Sequence, residues 1–334
     1  MPRNLLQEQC RPMQPQFFYH VVANDFAAVD DIISQQLTSR VPLVEKIGDY
    51  ITSAGGKRLR PLLVLLCGNA IAPSNDNLRL LAAIIEFLHT STLLHDDVVD
   101  MSGMRRGRST ANAIWGNAPS VLVGDFLYAR SFEMMVKLGS MPIMQIISQA
   151  TRVIAEGEVL QLSKVRDAST SEATYMEVIR AKTAMLFEAS THSAAVLSGA
   201  STEQSEALRN FGDALGIAFQ LVDDLLDYKG DAETMGKNVG DDLAEGKPTL
   251  PLIYTMREGT EDDARLVRQA IQKGGVEDLE SIRQAVERSG ALEYTARLAQ
   301  EHAQCAIQHL DCLPDSDYKR ALIELTEFAV ARTH

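Results

Sequence analysis

Cysteine is scarce in this chain of 334 residues: Cys10, Cys67, Cys305 and Cys312 are all it has. Four thiols without a dense spacing pattern exclude a disulfide scaffold and fit a reducing compartment. Long apolar runs are missing too. The longest, Pro61 to Cys67, falls far short of the ~20 residues of a membrane span, so no transmembrane segment is expected. Positive charge is in the minority, with 32 Lys and Arg against 45 Asp and Glu and a net charge of −13. That balance excludes general nucleic-acid binding, and an anionic ligand must find a local basic cluster. No charged region followed by an apolar stretch and a small-residue cleavage site opens the chain, so no secretory signal is read and the cytoplasm is the expected compartment. No Pro/Ser-rich linker, charge block or low-complexity tract marks a domain boundary.

Alternating strand patterns are likewise absent, and from about Phe26 onward the segments carry helical period. Leu78, Leu81, Ile84, Ile85 and Leu88 keep i, i+3, i+4 spacing and lead through Thr92 to Asp96, a buried-face helix that ends in carboxylates. Residues 143–162, 175–197 and 206–228 read similarly, separated by Gly, Pro or Ser/Thr clusters. The expected architecture is an all-α bundle forming one domain over residues 20–334. A poorly ordered tail over residues 1–19 precedes it, with Met13 as an alternative start to Met1. Near the C-terminus, His302, Cys305, His309 and Cys312 imitate a zinc ligand list. On one helix, positions 302 and 312 are about 15 Å apart, whereas zinc needs every donor at about 2 Å. They read as a helix face.

What the chain does have is a repeated acidic pattern: Asp96, Asp97 and Asp100 in His-Asp-Asp-Val-Val-Asp, then Asp223, Asp224 and Asp227 in Val-Asp-Asp-Leu-Leu-Asp. At about 100° per residue, each triplet fits a wedge of about 100° on one helix. Like charges held so close repel unless a cation joins them or some are protonated. One triplet could be a solvated acidic face. Two copies, each preceded by apolar residues (Leu93-Leu94 and Leu221-Val222), point to two metal-binding walls facing one cavity. Hard divalent cations with oxygen ligands answer that need, and Mg²⁺ binds through one or two carboxylates plus substrate phosphates.

Basic groups alternate with these triplets along the chain. Lys57 and Arg60 follow Gly55-Gly56, where three-residue spacing aligns them on an opening helical turn whose N–H groups suit an anion. Arg105 and Arg106 follow the first triplet. Lys237 and Lys247 follow the second. Singly, each is a solvated charge; in this order they suit diphosphates gripped directly on one side and through metal on the other.

Taken together, these segments resemble the trans-prenyltransferase (polyprenyl diphosphate synthase) family, and within it the bacterial octaprenyl and nonaprenyl diphosphate synthases. The resemblance runs from about residue 20 to the end. It is carried by residues 55–61 (Gly-Gly-Lys-Arg-Leu-Arg-Pro), 93–100, 104–107 (Met-Arg-Arg-Gly), 123–126, 155–162 (Ala-Glu-Gly-Glu-Val-Leu-Gln-Leu), 182–184 (Lys-Thr-Ala), 219–227 and 236–243.

It implies an isoprenoid-synthase-type helical bundle around a central cavity. The implied reaction ionises an allylic diphosphate, adds isopentenyl diphosphate to the cation and eliminates a proton. By the same resemblance the six aspartates hold roughly two or three Mg²⁺ ions. Arg105, Lys182 and Lys237 contact the allylic diphosphate; Lys57, Arg60, His89 and Arg106 bind isopentenyl diphosphate without metal. Lys182, Thr183 and Gln220 face the carbocation. His89 read alone is a satisfied core histidine. Small residues Ser91 and Thr92, with Leu88 deeper, leave the product tunnel open where short-chain members carry a bulky aromatic, and Phe132 or Met135 is a candidate floor. A homodimer is implied, and a peripheral membrane contact for product release is left open. A terpene cyclase or head-to-head synthase would not need the Lys57/Arg60 site, and a non-catalytic partner subunit would lack an acidic triplet.

Overall fold

The computed structural model describes residues 16–229, 240–275 and 277–331. Its helices, in order, are α1 (Phe17–His20), α2 (Ala23–Gln36), α3 (Pro42–Ser53), α4 (Leu59–Ile71), α5 (Asp76–Val99), α6 (Ala111–Trp115), α7 (Asn117–Leu138), α8 (Met141–Lys164), α9 (Glu172–Ile179), α10 (Met185–Leu197) and α11 (Thr202–Lys229). A π-helical turn, Arg180–Ala184, joins α9 to α10. Further helices follow from Asp241–Glu245 to Asp317–Ala331, the longest being Ala291–His309. Among the described residues the only strands are β1 (Met104–Arg105) and β2 (Arg108–Ser109), an antiparallel hairpin.

Helix α5 is the spine. The Asn75 side chain caps it by accepting from the Leu78 amide at 3.1 Å, which satisfies one of the N–H groups that a helix start leaves bare. Leu81, Ala82, Ile84, Ile85 and Leu88 are buried along it. By length and apolar composition α5 could cross a membrane, but 67% of its most apolar window is buried inside the protein. It packs on α2, α4, α7 and α10 as a core helix. Contact with α7 is tightened by hydroxyls that reach across: Ser91 donates to the Gly124 carbonyl at 2.8 Å and Ser120 to the Leu94 carbonyl at 3.1 Å.

The residues 17–20, at the end of the expected tail, form a helical turn with Phe18 fully buried 5.7 Å from the Phe328 ring. The first and last described helices therefore pack together. Tyr19 donates from there to the Lys57 carbonyl, so this first turn braces the glycine loop before α4.

Candidate active site

The basic wall starts at that loop. Gly55 and Gly56 take φ of 73° and 120°, and Arg58 follows at φ 42°, a left-handed conformation that costs a non-glycine residue about 1–2 kcal/mol. Asp30 and the Thr52 carbonyl hold the Arg58 guanidinium there. The Arg106 guanidinium donates to the Gly55 carbonyl and occupies the space where a Cβ on Gly56 would stand. The β1–β2 hairpin is thereby pinned over the start of α4.

Arg60 lies 3.2 Å from His89 Nε2 and 4.6 Å above the Phe187 ring. Its Nε is buried without a hydrogen-bond partner, a donor left for an anion. Burial pulls Arg60 down to about 10, and burial together with the Arg60, Arg106 and Arg105 charges pushes His89 well below the usual imidazole range. His89 is therefore neutral. Since a guanidinium has no acceptor, Nε2 accepts from Arg60 and Nδ1 carries the ring proton.

One residue of this wall is invisible in the motif list: Glu86, buried one turn before His89, with Arg58 Nε 4.0 Å from Oε1. Burial raises its carboxyl while Arg58, Arg60 and Arg106 oppose that rise. It offsets mutual repulsion among the arginines. Lys57 stands at the rim, its ammonium 5.3 Å from the Phe328 ring.

The first triplet occupies the C-terminal turn of α5, where the helix dipole also disfavours negative charge. Asp97 is fully buried; its Oδ1 accepts from Arg105 Nε at 2.7 Å and its Oδ2 has no hydrogen-bond partner. Arg105 is thus seated on Asp97. Asp100 pairs with Lys247 at 3.1 Å, and Lys247 also pairs with Glu245. Burial raises the Asp96 carboxyl, with the Lys182 charge opposing and Asp100 reinforcing the shift.

On α11, Asp224 is buried between Gln220 Nε2 at 2.7 Å and the Tyr175 hydroxyl at 2.6 Å. Burial, then Asp242, raises it to about 7. Gln220 Oε1 in turn accepts from Thr183 at 2.8 Å, so Thr183, Gln220, Asp224 and Tyr175 form one chain. Asp227 is buried with the Asp242 amide 3.4 Å from Oδ2, and Asp223 is half-buried. Lys182, beside Thr183 on the π turn, pairs with Glu158 of α8 at 2.7 Å. Lys237 lies outside the described residues.

Among the described residues, no three His, Cys, Asp or Glu side chains are gathered closely enough to hold a metal ion alone. Repulsion explains the spacing: Asp97 and Asp100 are each drawn to a cation, and Asp224 is held by neutral donors. A hard cation held by these residues would take few carboxylates at once and would need phosphate or water to complete its shell.

Of the other predicted residues, Leu88 and Ser91 are buried, and Thr92 is half-buried with its hydroxyl on the His89 carbonyl at 2.8 Å. Met135 is buried, and Phe132 packs against the same core. Glu86, Glu158 and Tyr175 escaped sequence reasoning, although 158 lies within a motif that was read. Each acquires its role from a partner on another element.

The polyprenyl synthetase family pattern matches residues 41–288. Octaprenyl diphosphate synthase of Escherichia coli (strain K12) is 50% identical over 313 residues, covering 93% of this chain and 97% of that protein. The all-trans-nonaprenyl-diphosphate synthase (geranyl-diphosphate specific) of Rhodobacter capsulatus is 49% identical over 312 residues, 93% of this chain and 96% of that one. In structure, the polyprenyl synthase from Caulobacter crescentus CB15, crystallised with calcium and isoprenyl diphosphate, superposes with a TM-score of 0.92 at 44% identity, over 98% of this chain and all of that one. These neighbours share the all-α isoprenoid synthase fold, and the chain belongs to the polyprenyl synthetase family.

Proposed function

We propose that the protein is a long-chain all-trans polyprenyl diphosphate synthase. It adds isopentenyl diphosphate units to an allylic diphosphate such as farnesyl diphosphate, giving an octaprenyl or nonaprenyl chain for the ubiquinone side chain. The observation that carries this is the division of the site. Arg60, with a buried Nε lacking a hydrogen-bond partner, and His89 form a basic wall with Lys57 and Arg106, while the acidic triplets lie at the end of α5 and on α11; in this reading the basic wall takes its diphosphate without metal.

The donor set fits Mg²⁺: the aspartates offer only hard oxygens, and Asp97 Oδ2 has no hydrogen-bond partner. When bound by Asp96, Asp97, Asp100, Asp223, Asp224 and Asp227, Mg²⁺ would act as a Lewis acid that neutralises charge on the leaving diphosphate. Arg105, Lys182 and Lys237 hold that diphosphate. The donor Nε of Arg60 and the neutral His89 orient isopentenyl diphosphate, and neutrality keeps His89 from acting as an acid near physiological pH. Thr183 and Gln220, locked to each other and to Asp224, present fixed oxygen dipoles to the allylic cation. Fixed dipoles need no reorganisation as charge develops, and a dry site spares the cation from capture as an alcohol.

Ser91, Thr92 and Leu88 line the product path in this reading. The active unit is a homodimer. Leu122 and Val136 of α7 and Met141, Val159 and Leu162 of α8 are 60–74% exposed, apolar positions suited to a second copy. The enzyme works in the cytoplasm, with peripheral membrane contact at product release.

Purified protein with Mg²⁺, labelled isopentenyl diphosphate and farnesyl diphosphate should give an all-trans chain of eight or nine units by chromatography. No elongation, or a stop at twenty carbons, contradicts the proposal.

A further inference from the structure

Two lysines face the first acidic triplet, and they are held differently. Lys247 lies 3.1 Å from Asp100 while also pairing with Glu245. Lys182 acts on Asp96 by its charge, yet its ion pair is with Glu158 at 2.7 Å. Among the described residues, no ion pair joins Asp96 to a cation.

The backbone explains why Glu158 is the partner. Helix α8 meets the π turn so closely at Gly157 that a Cβ there would stand 2.7 Å from the Ala181 Cβ and 3.0 Å from the Lys182 nitrogen. The next residue on α8 is Glu158. Both side chains are largely shielded, at 28% exposure for Glu158 and 20% for Lys182. A shielded ammonium without a partner is costly, so Lys182 must pair with some carboxylate. Lys247 shows the alternative within the same site, because it sits directly on a triplet aspartate.

We infer that Glu158 is a positioning residue of the condensation site: it holds the Lys182 ammonium away from Asp96, leaving the Asp96 oxygens to a metal ion and Lys182 to the diphosphate. The inference rests on the reading of Lys182 as a diphosphate contact. Without the Glu158 charge, Lys182 turns to Asp96 and competes with Mg²⁺ for the same oxygens. Burial raises the Glu158 carboxyl, Asp96 and then Asp100 add to the rise and Lys182 opposes it, so Glu158 belongs electrostatically to the first triplet's wall.

The test is calorimetric titration of inorganic pyrophosphate into wild type, E158Q and E158D across a series of Mg²⁺ concentrations. Isopentenyl diphosphate binding is measured in parallel with chelator present. E158Q should need on the order of tenfold more Mg²⁺ for half-saturation, the scale typical of lost outer partners of metal ligands. E158D, which restores the charge, should return close to wild type. Isopentenyl diphosphate affinity should be unchanged in all three. An unaltered Mg²⁺ requirement in E158Q overturns the inference. So does an E158D as impaired as E158Q, or a parallel loss of isopentenyl diphosphate binding, which would mark a general structural defect. If instead wild type makes no polyprenyl chain, the proposed function fails while the Mg²⁺ comparison still stands or falls by itself.

Discussion

Glu86 and His89, one turn apart on α5, show how single side chains set the charge of the basic wall. Three arginines converge there, and Glu86 offsets part of their charge while His89 stays neutral between Arg60 and the core. This has a pH consequence with a definite sign. Folding lowers the pKa of His89, so below about 6.5 the unfolded chain binds a proton that the folded chain refuses. Stability therefore falls with decreasing pH from about 6.5 downward, by up to about 1.4 kcal/mol per pH unit from this group. H89Q keeps an acceptor for Arg60 but cannot titrate. Urea unfolding between pH 7 and 5 should show a shallower decline for H89Q than for wild type, and equal slopes would contradict the assignment.

At this scale the aspartates were legible in the sequence, because like charges at helical spacing within apolar segments pose an electrostatic problem wherever they are placed. Glu86, Glu158 and Tyr175 were not. Each is one acidic or phenolic residue among many, and only a partner on another element distinguishes it.

Among the elements, the π turn at Arg180–Ala184 governs the wall proposed to be catalytic. Its widened winding brings Lys182 and Thr183 toward different neighbours, Glu158 on α8 and Gln220 on α11. Such turns recur at functional sites. Two glycines grip it: Gly157 abuts Ala181 and Lys182, while a Cβ on Gly216 would stand 2.8 Å from the Ala184 Cβ. G157A should displace the turn, destabilising the protein by about 1–3 kcal/mol and lowering kcat more than the melting change accounts for. A thermal melt alongside single-turnover rates checks this, and a fully active G157A would refute the role of the contact.

The packing of α5 on α7 refines the expectation about product length. A Phe at 91 would displace the buried Ser91 hydroxyl from the Gly124 carbonyl and press on α7. Thr92 is half-buried and bonds only within its own turn. T92F should therefore shorten the product with little loss of stability, whereas S91F should mainly destabilise. Product chromatography with melting curves separates the two, and an unchanged product from a folded T92F would sink the tunnel assignment. The long helices were legible from their apolar period. The π turn was not, since residues 180–184 carry no local signal that separates a π turn from a continued α-helix, and the glycines that abut it lie on other helices.

Over the whole molecule, charge is sorted by position. A chain of net charge −13 concentrates its useful cations at one site and places them between carboxylates. The order of basic and acidic segments was readable from sequence. Their pairing was not: Arg105 rests on Asp97 and Lys247 on Asp100, contacts between residues that order alone leaves unassigned. These pairs offset charge on the first triplet, and the proposed function divides the site into a metal-dependent and a metal-free side. The most direct measurement of that separation is equilibrium binding of isopentenyl diphosphate and of farnesyl diphosphate to one preparation, with Mg²⁺ and with chelator, for wild type and R60A. Chelator should abolish tight farnesyl diphosphate binding and spare isopentenyl diphosphate. R60A should weaken isopentenyl diphosphate by the ~1.5–3 kcal/mol of a charged hydrogen bond, roughly ten- to a hundredfold, and spare farnesyl diphosphate. Chelator that releases both ligands together, or R60A that weakens both equally, would contradict two separately built walls.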